Sequence, residues 1–342
     1  MKIAIVRLSA LGDIIQSAIV LQFIKKFRQD VQIDWFVDER FAGILENQPM
    51  INKIYAIPLK DKKIIKSLKI ILQARKNKYD ICIDLQGLIK SAIVSRLLCA
   101  NNFGFDENSI KESFASNFYN QKLAMNYNEN VFIRYIGLCA YVFNESFARE
   151  DIALKDPIFI ADENIKERLK NELKIDQNKK NILIHVGSSE ENKIYPKTKL
   201  AILCKMIVSK YKDSKILLCW GNKKEFEFAN SIIKIANINE ENIQIMPKFN
   251  LQELIAITKL ANLIIGNDSG PTHLAFAMNK PSITLFGATI KNRSSFKTTY
   301  TRAIDSGKKI KDIKHFDKTD FCITKIDEDD IFKLVVELLG EH

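Results

Sequence analysis

The chain of 342 residues lacks the features that mark several common protein classes. Its six cysteines occur singly, without a CxxC pair, which excludes a clustered thiolate metal site and a secreted disulfide framework. We therefore expect buried, reduced thiols and no bound metal. No stretch reaches the roughly 18 apolar residues of a membrane span, and Ser9 and Asp13 interrupt the N-terminal stretch where a signal peptide would remain apolar. These absences predict a cytoplasmic protein that does not cross a membrane.

Common phosphate-loop signatures are missing as well. Neither GxxxxGK(S/T) nor GxGxxG occurs in the chain. The sequence therefore lacks the motifs that usually indicate P-loop hydrolysis or NAD binding. The chain also has no repeat of solenoid length and no low-complexity linker.

Positive charge is what the chain has in surplus. Lys and Arg number 52 against 41 Asp and Glu, which gives a formal net charge of +11 and a pI near 9.2. Such a surplus indicates an acidic partner, which can be nucleic acid, an anionic membrane surface or a phosphorylated substrate. Because the basic runs are not interleaved with aromatic residues, we expect no nucleic-acid partner.

Short apolar runs rich in Ile and Val alternate with longer helical patterns, which predicts βαβ units around buried parallel sheets. The first series of predicted strands covers residues 2–7, 32–38, 53–59 and 79–86. The second series covers residues 181–187, 215–221, 242–247, 261–268 and 281–287. We also expect one helix over 13–27 and a last helix capped by Asp327.

The two series predict an α/β chain of two Rossmann-like lobes with mainly parallel sheets. At roughly 150 residues per domain, the length suits two domains. We expect the boundary between residues 155 and 156, in the polar segment near 151–157. Ligands collect at the carboxyl ends of the strands in such sheets. Two lobes with facing strand ends would enclose a cleft, so the loops after the strands are the candidate sites.

The segment IIGNDSGPTHLAFA holds the most informative of these loops. A strand runs into Asp268, Ser269 and Gly270, and Pro271 then opens a helix. The free amides of such a helix start can bind phosphate. Asp268 and Ser269 equally suit plain capping of the helix, and His273 suits plain packing. Because His273 follows Gly270 by three residues and can point toward the same anion, we favour a diphosphate site.

A second loop, in IHVGSSEENKIYPKTK, follows another strand. Ser188 and Ser189 offer hydroxyl donors, and Lys193 offers a charge that could neutralise a diphosphate leaving group. An exposed polar loop with a solvated lysine explains these residues equally well.

The first lobe offers two further strand ends. In SALGDIIQS, Gly12 precedes Asp13, which suits either a helix cap or a general base that accepts a proton from a hydroxyl nucleophile. In DLQGLIKSA, Gln86, Gly87 and Lys90 could hold a polar acceptor, or form an ordinary turn from strand to helix.

The segment 60–78 carries eight basic residues against one acid, Asp61. The basic residues are Lys60, Lys62, Lys63, Lys66, Lys69, Arg75, Lys76 and Lys78. Apolar residues recur between them at helical spacing. A basic amphipathic helix can lie on an anionic membrane or hold an acidic acceptor. An ordinary crossover helix with a solvated face has the same pattern.

At these residues the chain resembles the lipopolysaccharide heptosyltransferases of glycosyltransferase family 9, over nearly its whole length. The matching segments are SALGDIIQS, DLQGLIKSA, the Lys193 loop and NDSGPTHLAFAMNKPSITLFGAT. The last is the most specific, because the family characteristically has D-(S/T)-G-x-x-H-x-x-A there. Four residues match this pattern: Asp268, Ser269, Gly270 and His273. Phe276 stands at its final alanine, with Ala277 next.

The resemblance implies a GT-B fold and inverting transfer of heptose from ADP-heptose to Kdo on lipid A. Asp13 would be the general base for the Kdo hydroxyl, and Lys193 would stabilise departing ADP. The implied donor-binding residues are Ser188, Ser189, Lys193, Glu225, Asp268, Ser269, Gly270 and His273, with Glu227 a rival for Glu225. The acceptor would lie in the first lobe, near Gly12, Gln86 and Lys90.

The resemblance also implies chemistry without a metal or other cofactor. We expect work at the cytoplasmic face of the inner membrane. Another member of the family would instead extend a different acceptor, such as one that already carries heptose. A nucleotide-sugar or RNA-binding protein without catalysis is the alternative of another class, and its RNA affinity would fall steeply with salt.

Overall fold

The computed structural model describes residues 1–59, 63–310 and 317–340. Lys60, Asp61 and Lys62 of the basic segment lie outside these described residues. The chain divides into two compact units, Met1–Ile158 and Phe159–His342. The sequence-based boundary lies three residues earlier, between residues 155 and 156.

The first unit contains a six-stranded parallel sheet. Its strands are β1 (Lys2–Val6), β2 (Gln32–Asp38), β3 (Lys53–Ile57), β4 (Ile81–Asp84), β5 (Asn102–Phe105) and β6 (Gln121–Leu123). Its helices are α1 (Leu11–Ser17), α2 (Val20–Phe27), α3 (Ile64–Arg75), α4 (Ile89–Leu98) and α5 (Val131–Phe143). Short 3-10 helices cover Ala42–Ile44, Ser113–Phe118 and Arg149–Ile152. The strand order is β3-β2-β1-β4-β5-β6.

The second unit repeats this plan. Its strands are β7 (Lys180–His185), β8 (Ser214–Cys219), β9 (Ile243–Ile245), β10 (Leu263–Asn267), β11 (Ser282–Phe286) and β12 (Thr301–Asp305). Its helices are α6 (Glu163–Glu172), α7 (Lys197–Lys210), α8 (Lys223–Ala236), α9 (Leu251–Leu260), α10 (Gly270–Ala277), α11 (Lys291–Ser294) and α12 (Glu328–Leu339). The 3-10 helices here are Glu191–Lys193 and Cys322–Lys325. The order β12-β11-β10-β7-β8-β9 is again that of a Rossmann sheet.

Buried parallel strands explain the continuous apolar runs of the sequence. Ile3, Ala4, Ile5 and Val6 of β1 are fully buried, because helices cover both faces of such a sheet. Ile5 lies opposite Trp35 of β2 and Ile83 of β4, in parallel register on both sides. All nine predicted strands are confirmed, and so is the prediction of mainly parallel α/β sheets.

Three strands were absent from the prediction: β5, β6 and β12. Two of them, β6 and β12, lie at sheet edges and are only partly buried. Such strands need no continuous apolar run, and β5 has the sequence NFGF, with a glycine inside it. Their pairing with neighbouring strands, and not local composition, makes them strands.

The expectation of one helix over 13–27 is wrong. The helix begins at Leu11 and divides into α1 and α2, with a break at Ala18 and Ile19. Both residues keep helical backbone angles, and neither is a glycine or a proline that would predict the break from the sequence. Asp13 is consequently the third residue of α1 and not its cap, which is Ala10.

Two other expectations are confirmed. Asp327 caps α12, and its side chain accepts a hydrogen bond from the Asp329 amide. All six cysteines are free and buried. Within the part of the chain that the structure describes, no helix is both long and apolar enough to cross a membrane.

Candidate active site

Strand order determines where each sheet can bind a ligand. In the first sheet the order reverses between β1 and β4, and in the second between β7 and β10. Ligands bind outside the carboxyl ends of the strands at such reversal points. The loops selected from the sequence are the ones that follow these four strands.

Lys193 and Asp268 meet at the reversal point of the second sheet. The Lys193 ammonium lies 2.9 Å from Asp268 Oδ2, although 75 residues separate the two in the chain. Lys193 ends a 3-10 helix after β7, and Asp268 follows directly after β10. The side chains are 16% and 8% exposed, so Lys193 is not a solvated loop residue.

Asp268 organises two further groups around it. His273 Nε2 lies 2.9 Å from Oδ1, and the Thr289 hydroxyl donates to Oδ2 over 2.8 Å. Burial alone would raise the pKa of Asp268, but the His273 hydrogen bond and the Lys193 charge lower it well below its usual range. Asp268 is therefore an ionised anchor for Lys193 and His273.

The start of α10 has the predicted form. Ser269 is the N-cap residue, with extended backbone, and Pro271 lies in the first turn. The Ser269 side chain makes no capping bond to the helix; its hydroxyl lies 3.3 Å from that of Thr272. First-turn amides have no partner inside a helix, and they remain available to an anion.

Glu225 lies against the backbone of Gly187. A Cβ added to Gly187 would be 2.1 Å from Glu225 Cδ, so only glycine permits this approach. Asn222 caps α8 and thereby makes Glu225 the third helical residue. The carboxylate accepts hydrogen bonds from the Gly221 amide (2.6 Å) and from Asn222 Nδ2 (2.7 Å). Its rival Glu227 is exposed, so Glu225 is the acid at the ends of β7 and β8.

The two serines of this loop differ in their surroundings. The Ser188 hydroxyl donates to the Asp268 carbonyl over 3.5 Å and so lies beside the start of α10. Ser189 is exposed. Ser188 thus belongs to the cluster around Asp268, and Ser189 lies at the solvent side of the loop.

Asn267 and Thr289 also belong to this cluster, although neither was predicted from the sequence. Asn267 Oδ1 accepts from the Tyr195 amide (3.0 Å), and its Nδ2 donates to the carbonyls of Val186 (3.3 Å) and Gly187 (3.2 Å). This amide therefore ties the loop after β7 to the end of β10. Its only sequence signal is the position immediately before Asp268.

In the first unit, Arg7 and Asp13 form the corresponding pair. Arg7 Nη2 lies 2.9 Å from Asp13 Oδ2, which also accepts the Ala10 amide at 3.2 Å. Arg7 Nη1 donates to the Leu85 carbonyl over 2.7 Å, and the guanidinium lies 5.4 Å from the Tyr135 ring centre. Burial acts to lower the pKa of Arg7, but Tyr135 and Asp13 are among the groups that raise it overall, so Arg7 stays cationic. Arg7 was not among the residues predicted from the sequence.

Gln86 and Lys90 both reach Ser9. Gln86 Nε2 and Lys90 Nζ donate to the Ser9 hydroxyl over 3.3 and 3.2 Å. Gln86 Oε1 accepts from the Leu8 amide over 2.8 Å, which joins the loops after β1 and β4. Gly87 has φ +69° and faces Ile110, which explains the glycine in DLQGLIKSA. These hydrogen bonds bring the loops after β1 and β4 together around Ser9. Gly12 and Asp13 lie beside this cluster, in the first turn of α1.

His185 is a buried residue without a predicted role. It ends β7, and burial lowers its pKa to about 4. Its Nε2 has no hydrogen-bond partner in the described structure. Across residues 1–59, 63–310 and 317–340, no three His, Cys, Asp or Glu side chains are grouped as a metal site would require.

Comparison with known proteins agrees with this architecture. The family model Glycosyltransferase family 9 (heptosyltransferase) matches residues 67–321. Lipopolysaccharide heptosyltransferase 1 of Campylobacter coli is 63% identical over 342 residues, which cover 100% of both chains.

Two solved structures share the fold at low identity. An E. coli heptosyltransferase with ADP-2-deoxy-2-fluoro heptose has a TM-score of 0.75 and 20% identity, covering 98% of this chain and 99% of that one. The glycosyl transferase family 9 protein from Veillonella parvula has a TM-score of 0.79 and 17% identity, covering 100% and 98%. The fold is that of the GT-B heptosyltransferases, as expected from the sequence. By the family model and by its 63% identity to a heptosyltransferase, this chain belongs to glycosyltransferase family 9.

Proposed function

We propose that this enzyme transfers L-glycero-D-manno-heptose from ADP-heptose to the Kdo of Kdo-lipid A, in synthesis of the lipopolysaccharide inner core. The observation that carries the proposal is full-length identity of 63% to a lipopolysaccharide heptosyltransferase 1. The anion-binding geometry around Lys193 and α10 supports a diphosphate donor in the second unit. We assign the acceptor to the first unit, beside Gly12, Gln86 and Lys90.

Asp13 is the general base in this proposal. Its Oδ2 is held by Arg7 and by the Ala10 amide, whereas Oδ1 has no partner among the described residues. The side chain is 46% exposed, so a bound hydroxyl group can reach it. Oδ1 takes the proton of the Kdo hydroxyl as its oxygen attacks the anomeric carbon. Attack opposite the leaving ADP inverts that carbon.

Lys193 and the α10 amides stabilise the charge that develops on the departing diphosphate. An ammonium donates up to three hydrogen bonds, so its pairing with Asp268 is compatible with donation to a phosphate oxygen. Asp268 holds Lys193 and His273 in place, which reduces the reorganisation needed when charge develops. Ser188, Ser189, Ser269 and Gly270 line the same side of the donor.

Glu225 contacts the nucleotide ribose in the proposed complex. A carboxylate accepts hydrogen bonds from hydroxyl groups, and Glu225 stands at the carboxyl ends of β7 and β8. Because fixed protein donors and Lys193 supply the positive charge, we propose that transfer needs no metal ion or other cofactor. Full activity in EDTA is the expected result.

The proposed acceptor also indicates where in the cell the enzyme works. Kdo-lipid A is anchored in a membrane, so the proposed activity takes place at the cytoplasmic face of the inner membrane. We propose that the protein associates there peripherally.

Mass spectrometry of Kdo-lipid A incubated with ADP-heptose and the enzyme tests the proposal. The expected product is the acceptor with one added heptose. Extension of a heptosylated acceptor but not of the Kdo acceptor would identify heptosyltransferase II or another specificity within the family. Binding of ADP-heptose without turnover of either acceptor would overturn the catalytic proposal.

A further inference from the structure

Helix α3 of the first unit exposes large apolar side chains to solvent. The exposed ones are Ile64 (73%), Ile65 (74%), Leu68 (42%) and Leu72 (44%). Ser67, Ile71 and Ala74 are buried and attach the helix to the unit. The helix therefore has a second apolar side beyond the one that its own fold uses.

The exposed apolar residues lie together and are not scattered. At about 100° per residue, all four fall within an arc of roughly 100° on the helix surface. Ile64, Leu68 and Leu72 follow one another at intervals of four, and Ile65 lies beside them. Isolated apolar residues are ordinary on protein surfaces, but a contiguous group marks an interaction site. Helix α4, which packs beside α3, exposes Ile89 (37%) and Ile93 (40%) as well.

Uncompensated positive charge accompanies this apolar side. Lys66, Lys69, Arg75 and Lys76 are exposed on or just after α3. None of them forms an ion pair with a carboxylate in the described part of the chain, in contrast to Lys63, which lies 3.7 Å from Glu39. On the helix surface, Lys69 and Lys76 border the apolar arc directly. A partner for this surface must therefore offer both an apolar region that can bury these side chains and negative charge.

We propose that α3 docks on the surface of an anionic lipid bilayer. Ile64, Ile65, Leu68 and Leu72 would enter the boundary between headgroups and acyl chains, and the basic side chains would contact lipid phosphates. Interfacial helices combine these two features, since apolar burial and attraction to anionic lipids add to one another. The inference deepens the proposed function and rests on it for its purpose, because a lipid-linked acceptor has to be reached at a membrane surface.

Vesicle co-sedimentation of the full chain tests the docking surface without substrate. We expect binding to vesicles of phosphatidylglycerol with phosphatidylethanolamine, and little binding to phosphatidylcholine alone. The variant I64Q/I65Q/L68Q should weaken binding at least about tenfold. Its control L154Q/I202Q replaces exposed apolar residues elsewhere (79% and 43%) and should bind as the wild type does.

Two charge-reversal variants, one on α3 and one control, test the electrostatic contribution to vesicle binding. K66E/K69E/K76E should abolish binding, because each basic group near an anionic surface contributes about fivefold. The control K205E/K210E/K212E makes the same change in net charge at exposed lysines, two in α7 and one just after it. This control should retain most of the binding. Equal binding by the α3 variants and their controls would overturn the proposal. Loss of a wild-type dimer in the apolar variant, without vesicle binding by the wild type, would also overturn it in favour of self-association.

Two acceptors separate docking from catalysis. On Kdo-lipid A in anionic vesicles, the α3 variants should transfer heptose more slowly than the wild type, whereas on a lipid-free Kdo acceptor their rates should match it. A slow rate of the charge variant on the lipid-free acceptor would mean that these lysines hold the acceptor, which contradicts docking. Vesicle binding by a wild type that transfers heptose to neither acceptor would refute the proposed function and leave the docking surface standing.

Discussion

Arg7 holds one oxygen of Asp13 and leaves the other open. Arg7 Nη2 lies 2.9 Å from Asp13 Oδ2, whereas Oδ1 has no partner among the described residues. The guanidinium is itself anchored on the Leu85 carbonyl and beside the Tyr135 ring. The orientation of the carboxylate therefore depends on a buried cation at the end of β1.

Asp13→Asn tests the proposed base. The amide keeps the size of the side chain but cannot accept the proton, so turnover should fall by about a hundredfold or more. Affinity for ADP-heptose, measured by calorimetry, should change little, because we assign the donor to the second unit. Unchanged turnover would remove Asp13 from the base role.

Arg7→Met should lower kcat because Asp13 loses the cation that orients it. We expect a decrease of about tenfold or more, since the carboxylate that accepts the proton is no longer held by a cation. Arg28→Met is the control: Arg28 pairs with Glu145 at the surface and is 51% exposed. If circular dichroism shows that Arg7→Met does not fold, Arg7→Lys is used in its place. It keeps the charge and should restore part of kcat.

Lys193→Ala should weaken donor binding and slow transfer together. The variant removes the positive charge nearest the start of α10, so both the ground state and the developing diphosphate charge lose stabilisation. Asp268→Asn should have the same direction of effect, because it releases Lys193 and His273. Lys197→Ala, at an exposed position of α7, is the matched control. Normal kinetics in Lys193→Ala would assign Lys193 a structural role only.

Gly187→Ala tests the placement of Glu225. The new methyl group would overlap the Glu225 carboxylate, so either the loop or the acid has to move. We expect ADP-heptose to bind about tenfold more weakly, with less effect on the binding of heptose phosphate fragments that lack the ribose. Gly221→Ala is the control, since its added Cβ would lie 3.4 Å from Glu225 Oε2. Equal affinities in the two variants would contradict the ribose assignment.

His185 should make stability depend on pH. Its folded pKa of about 4 lies below the unfolded value of 6.5, because burial disfavours the charged ring. The unfolded chain therefore binds the proton first, and stability that is fully present above pH 6.5 is lost as the pH falls toward 4. The loss amounts to about 3 kcal/mol for this one group.

The measurement is the free energy of unfolding by urea between pH 7 and 4, for the wild type and for His185→Phe. Carboxylates titrate in both proteins, so the difference between the two curves isolates His185. That difference should change between pH 6.5 and 4 and stay constant above. Parallel curves throughout would show that His185 is solvated in the folded protein.

Local patterns were sufficient for much of the fold. Continuous Ile and Val runs indicated nine of the strands, and the predicted site residues lie in the loops after them or near the start of the helix that follows. Pro271 after Ser269 marked the start of α10, and Asp327 marked that of α12. These signals can be read because they depend on neighbours within one or two turns of chain.

Other features have no local signal. Ala18 and Ile19 keep helical angles at the break between α1 and α2, so neither composition nor periodicity reveals it. Arg7 looks like an ordinary basic residue after a strand. Its burial depends on contacts with residues more than 70 positions away, such as Leu85.

The amino-acid sequence by itself determined the two series of βαβ units, the loops that carry the chemistry and the membership in glycosyltransferase family 9. The tertiary structure decided which of those residues act together: Lys193 with Asp268 and His273, Glu225 with Gly187, and Arg7 with Asp13. The physical reason is that parallel sheets bring distant strand ends to one edge. Burial there turns separate polar side chains into ion pairs and hydrogen bonds that no local pattern contains.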